Sequence, residues 1–208
     1  ISVARIGEFA WSKMEPLKGV FDFGWLHKIV DKLAEADIRV MMGTPTAVPP
    51  IWLTSLDKEM FTEDLCGHRV AHGGRRHACS NNPTYLEHCD KIVTALAREF
   101  GDDENIIGWQ IDNEIYLQEC HCKHCDNKFR KYLKAKYGSI EELNKRWNLN
   151  LFSQAYRSFE DIATPRLGWM NPQHKMEYMN FDGDNQIEFV ARQAAILKKY
   201  VKAPIGTD

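Results

Sequence analysis

The stretch Asn105-Ile-Ile-Gly-Trp-Gln-Ile-Asp-Asn-Glu114 is largely apolar through Ile111 and then changes abruptly to three polar residues. A short apolar run bounded in this way predicts a buried β-strand. Burying the three polar groups without partners would be costly. The pattern therefore has two interpretations: a solvated strand end or helix N-cap, or a carboxylic acid and an amide at a pocket floor. A glutamic acid in a water-poor pocket can keep its proton near neutral pH, as a general acid must.

Similar apolar runs lie on either side of this strand. Ile1–Trp11 and Ile38–Gly43 precede it, and residues 203–208 resemble the beginning of a fourth strand. Between the strands, apolar residues recur with helical spacing near 22–33, 85–96, 126–137, 139–147 and 183–201, and residues 51–83 form a long irregular segment. Strands alternating with helices predict an α/β fold of parallel βα units, either a doubly wound sheet or part of a barrel.

Polar residues follow each of the three complete strands. Glu8, Thr44 and the pair Asn113-Glu114 stand directly after them. Because the carboxyl ends of parallel strands meet at one edge of a sheet, we expect the functional site there. No G-x-G-x-x-G motif follows a strand, so a dinucleotide-binding fold has little support.

Composition narrows the class of protein further. The 208 residues carry 27 lysines and arginines against 29 aspartates and glutamates, and 44% of them are hydrophobic. This is typical of a globular chain rather than a disordered one. No apolar run approaches the about 20 residues that span a bilayer, and no basic tract marks a nucleic-acid partner. We therefore expect neither a membrane nor a nucleic acid as a partner.

The segment Cys120-His-Cys-Lys-His-Cys125 brings three sulfurs into one turn of chain. Adjacent disulfides within it would be strained, whereas three convergent thiolates suit a tetrahedral zinc ion. We expect Cys79 as the fourth ligand, with Cys66 as its main competitor. His121 or His124 could replace one sulfur. With four protein ligands, the zinc would be structural rather than catalytic.

The remaining cysteine, Cys89, lies on the apolar stripe of its predicted helix and is expected in the core. Reduced thiols together with zinc favour a cytoplasmic protein over one from an oxidising compartment.

Four motifs resemble the glycoside hydrolase family 42 β-galactosidases. They are Arg5–Trp11, Gly43–Ala47, Arg75–Cys79 and Gly108–Glu114, and they follow one another across the whole chain. The resemblance implies a (β/α)₈ TIM barrel that hydrolyses terminal non-reducing β-D-galactosides with retention of configuration.

The resemblance also implies roles for individual residues. Glu114 matches the catalytic acid/base, and Asn113 and Arg75 match positions that bind galactose hydroxyls. Arg5 and Glu8 match pocket-lining positions. The family's zinc-binding cysteines match Cys79, Cys120, Cys122 and Cys125.

Matched by motif order, residues 1–208 form a partial barrel of about four βα units, from the second strand to the start of the fifth. Its zinc-binding loops would be 66–79 and 119–126. A retaining glycosidase also needs a nucleophilic carboxylate, and the family's glutamate lies on a later strand. None of the remaining glutamates considered follows a strand: Glu141, Glu142, Glu160, Glu177 and Glu188.

The partial-barrel interpretation accounts for both ends of the sequence and leads to two expectations for the chain. The chain begins at Ile1 without a methionine and ends within a strand, as a fragment would. Alone it is expected to be inactive, and open strand edges near residues 3–9 and 203–207 are expected to promote self-association. The resemblance also raises homo-oligomerisation of the complete protein as a hypothesis.

Two other functions compete with this interpretation. The chain could be a zinc-braced, non-catalytic carbohydrate-binding module that holds sugar on aromatic residues: Trp11, Trp52, Trp109 and Trp169. It could also belong to another retaining glycosidase of similar barrel type, acting on mannosides or glucosides. The cysteine segment and Arg75–Cys79 favour family 42 over this last alternative.

Overall fold

A computed structural model describes all 208 residues. Its sheet contains four parallel strands in chain order: β1 (Val3–Ile6), β2 (Arg39–Gly43), β3 (Ile106–Gln110) and β4 (Ile205–Gly206). Val3 pairs with Arg39 at the start of β1 and β2, and Trp109 pairs with Ile205 between β3 and β4. Parallel neighbours in sequential order require a crossover between each pair, which confirms the expected βα units.

Seven α-helices accompany the sheet. They are α1 (Trp11–Met14), α2 (Gly24–Glu35), α3 (Ile51–Thr54), α4 (Pro83–Phe100), α5 (Lys123–Tyr137), α6 (Ile140–Arg146) and α7 (Pro172–Leu197). Short 3₁₀ turns occur at 58–60, 151–153 and 159–161. The helices α2, α4 and α7 connect successive strands, and α5 and α6 form an excursion between β3 and α7.

The first strand and the last helix differ most from the sequence-based expectation. β1 ends at Ile6 because Gly7 has φ +102°, a conformation that side chains rarely adopt, and Trp11 already begins α1. α7 begins at Pro172, well before the expected start near 183. Its start is fixed by Asn171, whose side chain accepts a hydrogen bond from the backbone N–H of Gln173.

The buried apolar side chains form two main hydrophobic cores. The larger joins the sheet to α2, α4 and the second half of α7, with Trp11, Phe100 and Trp109 among its buried side chains. The smaller joins α5 and α6 to the first half of α7, around Phe129 and Phe181. α7 therefore connects the two cores along its length, which explains why it extends so far toward its N-terminus.

The outer strands of the sheet are β1 and β4, in agreement with the expected edges. None of the helices combines the length and apolar character that crossing a bilayer would require.

Candidate active site and metal centre

The guanidinium of Arg5, on β1, connects the carboxyl ends of three strands. Its Nη2 donates to Asn113 Oδ1 at 3.0 Å, and Nη1 donates to Gln110 Oε1 at 2.9 Å. Nη1 also donates to Asp208 Oδ2 at 3.0 Å, and Nε donates to Glu8 Oε1 at 3.1 Å. Three residues predicted for the site, Arg5, Glu8 and Asn113, are therefore in direct contact.

The other two predicted residues, Arg75 and Glu114, form an ion pair beside them. Arg75 Nη1 donates to Glu114 Oε2 at 2.8 Å, and the backbone N–H of Glu114 donates to Asp208 Oδ1 at 2.8 Å. The two side chains are 52% and 64% exposed. In this chain the Glu114 carboxyl group is therefore exposed rather than desolvated.

The buried carboxylate at the end of β3 is Asp112 instead. It accepts hydrogen bonds from Thr46 Oγ1 at 2.6 Å and from the backbone N–H of Asn113 at 2.7 Å, and it pairs with Arg76 Nη1 at 3.3 Å. Burial raises the pKa of Asp112, and the charge of Arg76 opposes that rise. Asp112 and Glu114 both have positive φ, +56° and +47°, so regular strand geometry has ended before the buried carboxylate and the exposed one.

Removing one partner of the buried pair of Arg76 and Asp112 should destabilise the folded chain far more than breaking its exposed neighbour. Arg76→Met leaves Asp112 as an uncompensated buried charge, and we expect a loss of about 3–5 kcal/mol in the free energy of unfolding. Arg75→Met, the matched control, breaks an exposed pair and should cost about 0–1 kcal/mol. Urea unfolding of the two variants measures the difference. Equal losses in the two variants would contradict the conclusion that Asp112 is the buried carboxylate that depends on Arg76.

Close packing between β1 and β2 fixes the position of Glu8. Gly43 ends β2, and a Cβ atom there would lie only 2.7 Å from Glu8 Cβ. Glycine is therefore needed for the two strand ends to approach. The next residue, Thr44, accepts a hydrogen bond at Oγ1 from the backbone N–H of Asp112 at 2.8 Å. Thr44, the polar residue that follows β2, thus supports the end of β3.

Four buried cysteines form a compact cluster next to this site. Cys79 Sγ lies 3.5 Å from Cys125 Sγ and 3.6 Å from Cys122 Sγ, and all four sulfurs, with Cys120, lie within 4.8 Å of one another. These separations are too long for disulfides. A tetrahedral ion with metal–sulfur bonds of about 2.3 Å requires sulfurs about 3.8 Å apart. The cluster therefore has the geometry and donor chemistry of a structural metal site.

The alternative ligands lie outside this cluster. Cys66 is exposed in the preceding loop and belongs to a different group of side chains. The His121 ring stacks on Tyr178 with centroids 4.7 Å apart, and His124 Nε2 lies 3.4 Å from Asn82 Nδ2. Among the candidates, the structure thus brings together the four cysteines that the sequence analysis expected as ligands.

Two of the four sulfurs hold their protons more strongly than a free thiol does. Hydrogen bonds with Cys120 and Cys122, together with burial, raise the pKa of both the Cys79 and the Cys125 thiols. Asn81 adds two donors, its backbone N–H to Cys79 Sγ at 3.4 Å and Nδ2 to Cys125 Sγ at 3.3 Å. A divalent cation would displace the thiol protons and compensate the buried thiolates, so these residues fit such an ion.

Sequence reasoning missed three residues that shape the site. Gln110 and Asp208 both accept from Arg5, and Gln186 accepts from Arg76 Nη2 at 2.6 Å. The position of Asp208 just after β4 was a usable signal, because it follows the same strand-end rule as Glu114. Nothing in the sequence marks Gln186, which reaches the site only through the packing of α7.

Other carboxylates and aromatics were also considered as functional residues. The glutamates set aside as nucleophiles do lie away from strand ends, Glu141 and Glu142 on α6, Glu177 and Glu188 on α7 and Glu160 in a 3₁₀ turn. Of the tryptophans considered for sugar binding, Trp11 and Trp109 are buried in the core and cannot present a face to a ligand. Trp169 is exposed. The burial of two of the four weakens the case for a binding module.

Comparison with known proteins identifies the family that this chain resembles along its whole length. The family model for β-galactosidases of glycoside hydrolase family 42 matches residues 1–208. The β-galactosidase of Thermus thermophilus is 40% identical over 212 residues, which cover 100% of this chain and 33% of that protein. The chain therefore spans about a third of the length of the curated relatives it matches.

Solved structures lead to the same family. The β-galactosidase of the psychrophilic Marinomonas ef1 has a TM-score of 0.94 at 33% identity, covering 100% of this chain and 32% of that one. A catalytic mutant of Gan42B, a GH42 β-galactosidase from G. stearothermophilus, has a TM-score of 0.95 at 31% identity, covering 100% and 31%. The expected α/β architecture, part of a TIM barrel, is thus confirmed, and the chain belongs to glycoside hydrolase family 42, the β-galactosidases.

Proposed function

We propose that the complete protein is a retaining β-galactosidase in which Glu114 is the acid/base. The observation that carries this proposal is the contact of Glu114 with Arg75, next to Asn113, at the carboxyl end of β3 in a family 42 chain. Its substrates would be terminal non-reducing β-D-galactosides, either small molecules or oligosaccharides.

The reaction would proceed in two steps. Glu114 protonates the glycosidic oxygen while a nucleophilic glutamate attacks the anomeric carbon and forms a covalent galactosyl-enzyme. Glu114 then removes a proton from the water that attacks this intermediate and releases galactose. We place the nucleophile outside residues 1–208, on a later strand about 5–5.5 Å from Glu114, as a retaining mechanism requires.

Arg75 and Asn113 would bind the galactose hydroxyls. Arg5 donates a hydrogen bond to the side-chain oxygen of Asn113. The side-chain nitrogen of Asn113, Nδ2, would donate to a galactose hydroxyl. Arg75 is exposed and faces Glu114, and a substrate that takes over its N–H groups would free the Glu114 carboxyl group to be protonated. Arg5 and Glu8 would line the pocket, and their hydrogen bond keeps both in fixed positions.

We propose zinc as the metal at Cys79, Cys120, Cys122 and Cys125. Four thiolates leave no position for water, so the ion would be structural. Its effect would be to hold the loop that ends at Cys79 against the loop after β3. These are the two segments that carry Arg75 and Glu114. The zinc-binding loops would be 66–79 and 119–126. The first would supply only Cys79, and the second would supply the other three cysteines.

The 208-residue chain alone should be catalytically inactive. If it corresponds to the barrel from the second strand to the start of the fifth, it contains the acid/base and lacks the nucleophile, so no covalent intermediate can form. We expect no release of chromophore from a chromogenic β-galactoside above the buffer rate, with the complete enzyme as the positive control. Measurable turnover by the purified chain would contradict the proposed position of the nucleophile.

Location and assembly are further parts of the proposal. Six free cysteines, four of them in the cluster, suit the reducing cytoplasm. Assembly of the complete protein into a homo-oligomer is the corresponding hypothesis for its quaternary structure.

A further inference from the structure

A second group of metal-binding side chains lies at the tip of a short hairpin. Glu63 and Arg69 pair in antiparallel fashion, and the tip between them is closed by hydrogen bonds from Asp64 N to His68 O at 2.9 Å and from Gly67 N to Asp64 O at 3.0 Å. The ligand atoms of Asp64, Cys66 and His68 lie within 4.8 Å of one another, and all three residues are exposed.

Hydrogen bonds from the backbone of the tip orient the Asp64 carboxylate in the absence of an ion. Asp64 Oδ1 accepts the backbone N–H groups of Cys66 at 2.8 Å and His68 at 2.9 Å. The carboxylate is thereby oriented, and Oδ2 is left available. Because the ligands come from a five-residue turn already closed by hydrogen bonds, little additional chain would have to be ordered on binding.

The separation between the oxygen and nitrogen ligands fits a tetrahedral ion. His68 Nδ1 lies 3.5 Å from Asp64 Oδ2, and the two form an ion pair when the imidazole is protonated. Zinc bonds of about 2.0–2.2 Å to nitrogen and oxygen place those two ligands about 3.4 Å apart in a tetrahedron. Cys66 Sγ, the third atom of the group, supplies the soft ligand that distinguishes this set from one suited to Mg²⁺ or Ca²⁺.

We propose that Asp64 Oδ2, Cys66 Sγ and His68 Nδ1 form a second metal site for a borderline-soft divalent cation such as Zn²⁺. Binding would release the Cys66 thiol proton to solvent. Three protein ligands leave a fourth position for water, unlike the closed cluster of four cysteines. The exposed ion would exchange readily with the medium, and the site does not depend on the proposed hydrolytic activity.

Co²⁺ is the probe that distinguishes the two sites, because thiolate-to-cobalt absorption reports a sulfur ligand. The complete protein, with zinc retained in the buried cluster, is treated briefly with a chelator and titrated with Co²⁺. We expect one Co²⁺ per chain, with a thiolate-to-cobalt band and no loss of the retained zinc. Cys66→Ser should abolish the band, and His68→Ala should weaken Co²⁺ binding by more than about 10-fold.

Val70→Ala is the matched control, since Val70 is exposed on the same hairpin and supplies no ligand. It should bind Co²⁺ as the unmodified protein does. The proposal is overturned if the unmodified protein takes up no Co²⁺ beyond the buried cluster, or if Cys66→Ser gives the same band and affinity. Equal zinc retention in all variants shows that each is folded around the buried cluster.

Discussion

Glu114→Gln in the complete enzyme is expected to lower kcat/KM for lactose by at least about 10²–10⁴-fold, the usual contribution of general acid–base catalysis. Glutamine preserves the size of the side chain and can still accept from Arg75, whose Nη1 donates to Glu114 Oε2. It has no proton of suitable acidity to give to the glycosidic oxygen. The loss should therefore lie mainly in the chemical steps rather than in substrate binding.

A second substrate makes this test specific for acid catalysis. A galactoside with a strongly acidic phenol as leaving group needs no proton, so its first step should be affected much less than that of lactose. Glu142→Gln, at a partly exposed glutamate on α6 that pairs with Arg146, is the matched control and should retain full activity. Normal hydrolysis of lactose by Glu114→Gln would refute the assignment. An equal loss on both substrates would exclude a role as general acid.

Sequence patterns were sufficient to predict the alternation of strands and helices, and they indicated where polar side chains would meet. Glycine or polar residues stand at or directly after each strand end, and parallel strands must bring those ends together at one edge. Arg5, Glu8 and Asn113 were predicted on this basis and on the resemblance, and they are in contact. Cys79 was expected as the fourth ligand from the sequence, with Cys66 as its competitor, and the resemblance strengthened that choice.

Tertiary packing decided what the sequence patterns left open. The sequence does not reveal that Asp112 takes the buried position and Glu114 the exposed one, because the two positive φ values arise where β3 meets the loop to Cys120. Arg5 contacts Asp208, 203 residues later in the chain, and no local pattern encodes such a pair. The early start of α7 was readable, since Asn171-Pro172 is a helix-start signal, but the second core that stabilises it was not.

Removal of the metal from the four-cysteine cluster is expected to be the most damaging structural change. Zinc binding contributes about 10–16 kcal/mol of apparent free energy in zinc-finger peptides, which rivals the entire stability of many domains, about 5–15 kcal/mol. Cys122→Ser should therefore abolish stoichiometric zinc and lower Tm by about 10 °C or more, since each kcal/mol is worth about 2–4 °C in a domain of this size. Zinc analysis and thermal melting of the purified complete protein measure both effects.

The position of the cluster predicts a functional loss beyond the loss of stability. Cys79 follows Arg75 by four residues, and Cys120 follows Glu114 by six, so a metal bound there would link the two loops that carry the ion pair. Activity of Cys122→Ser should fall even at temperatures well below its Tm. Cys89→Ala removes a buried thiol outside the cluster and should keep both zinc and activity. If Cys122→Ser retained zinc, or if Cys89→Ala lost it, the four-cysteine assignment would fail, because the metal would then depend on a different set of sulfurs.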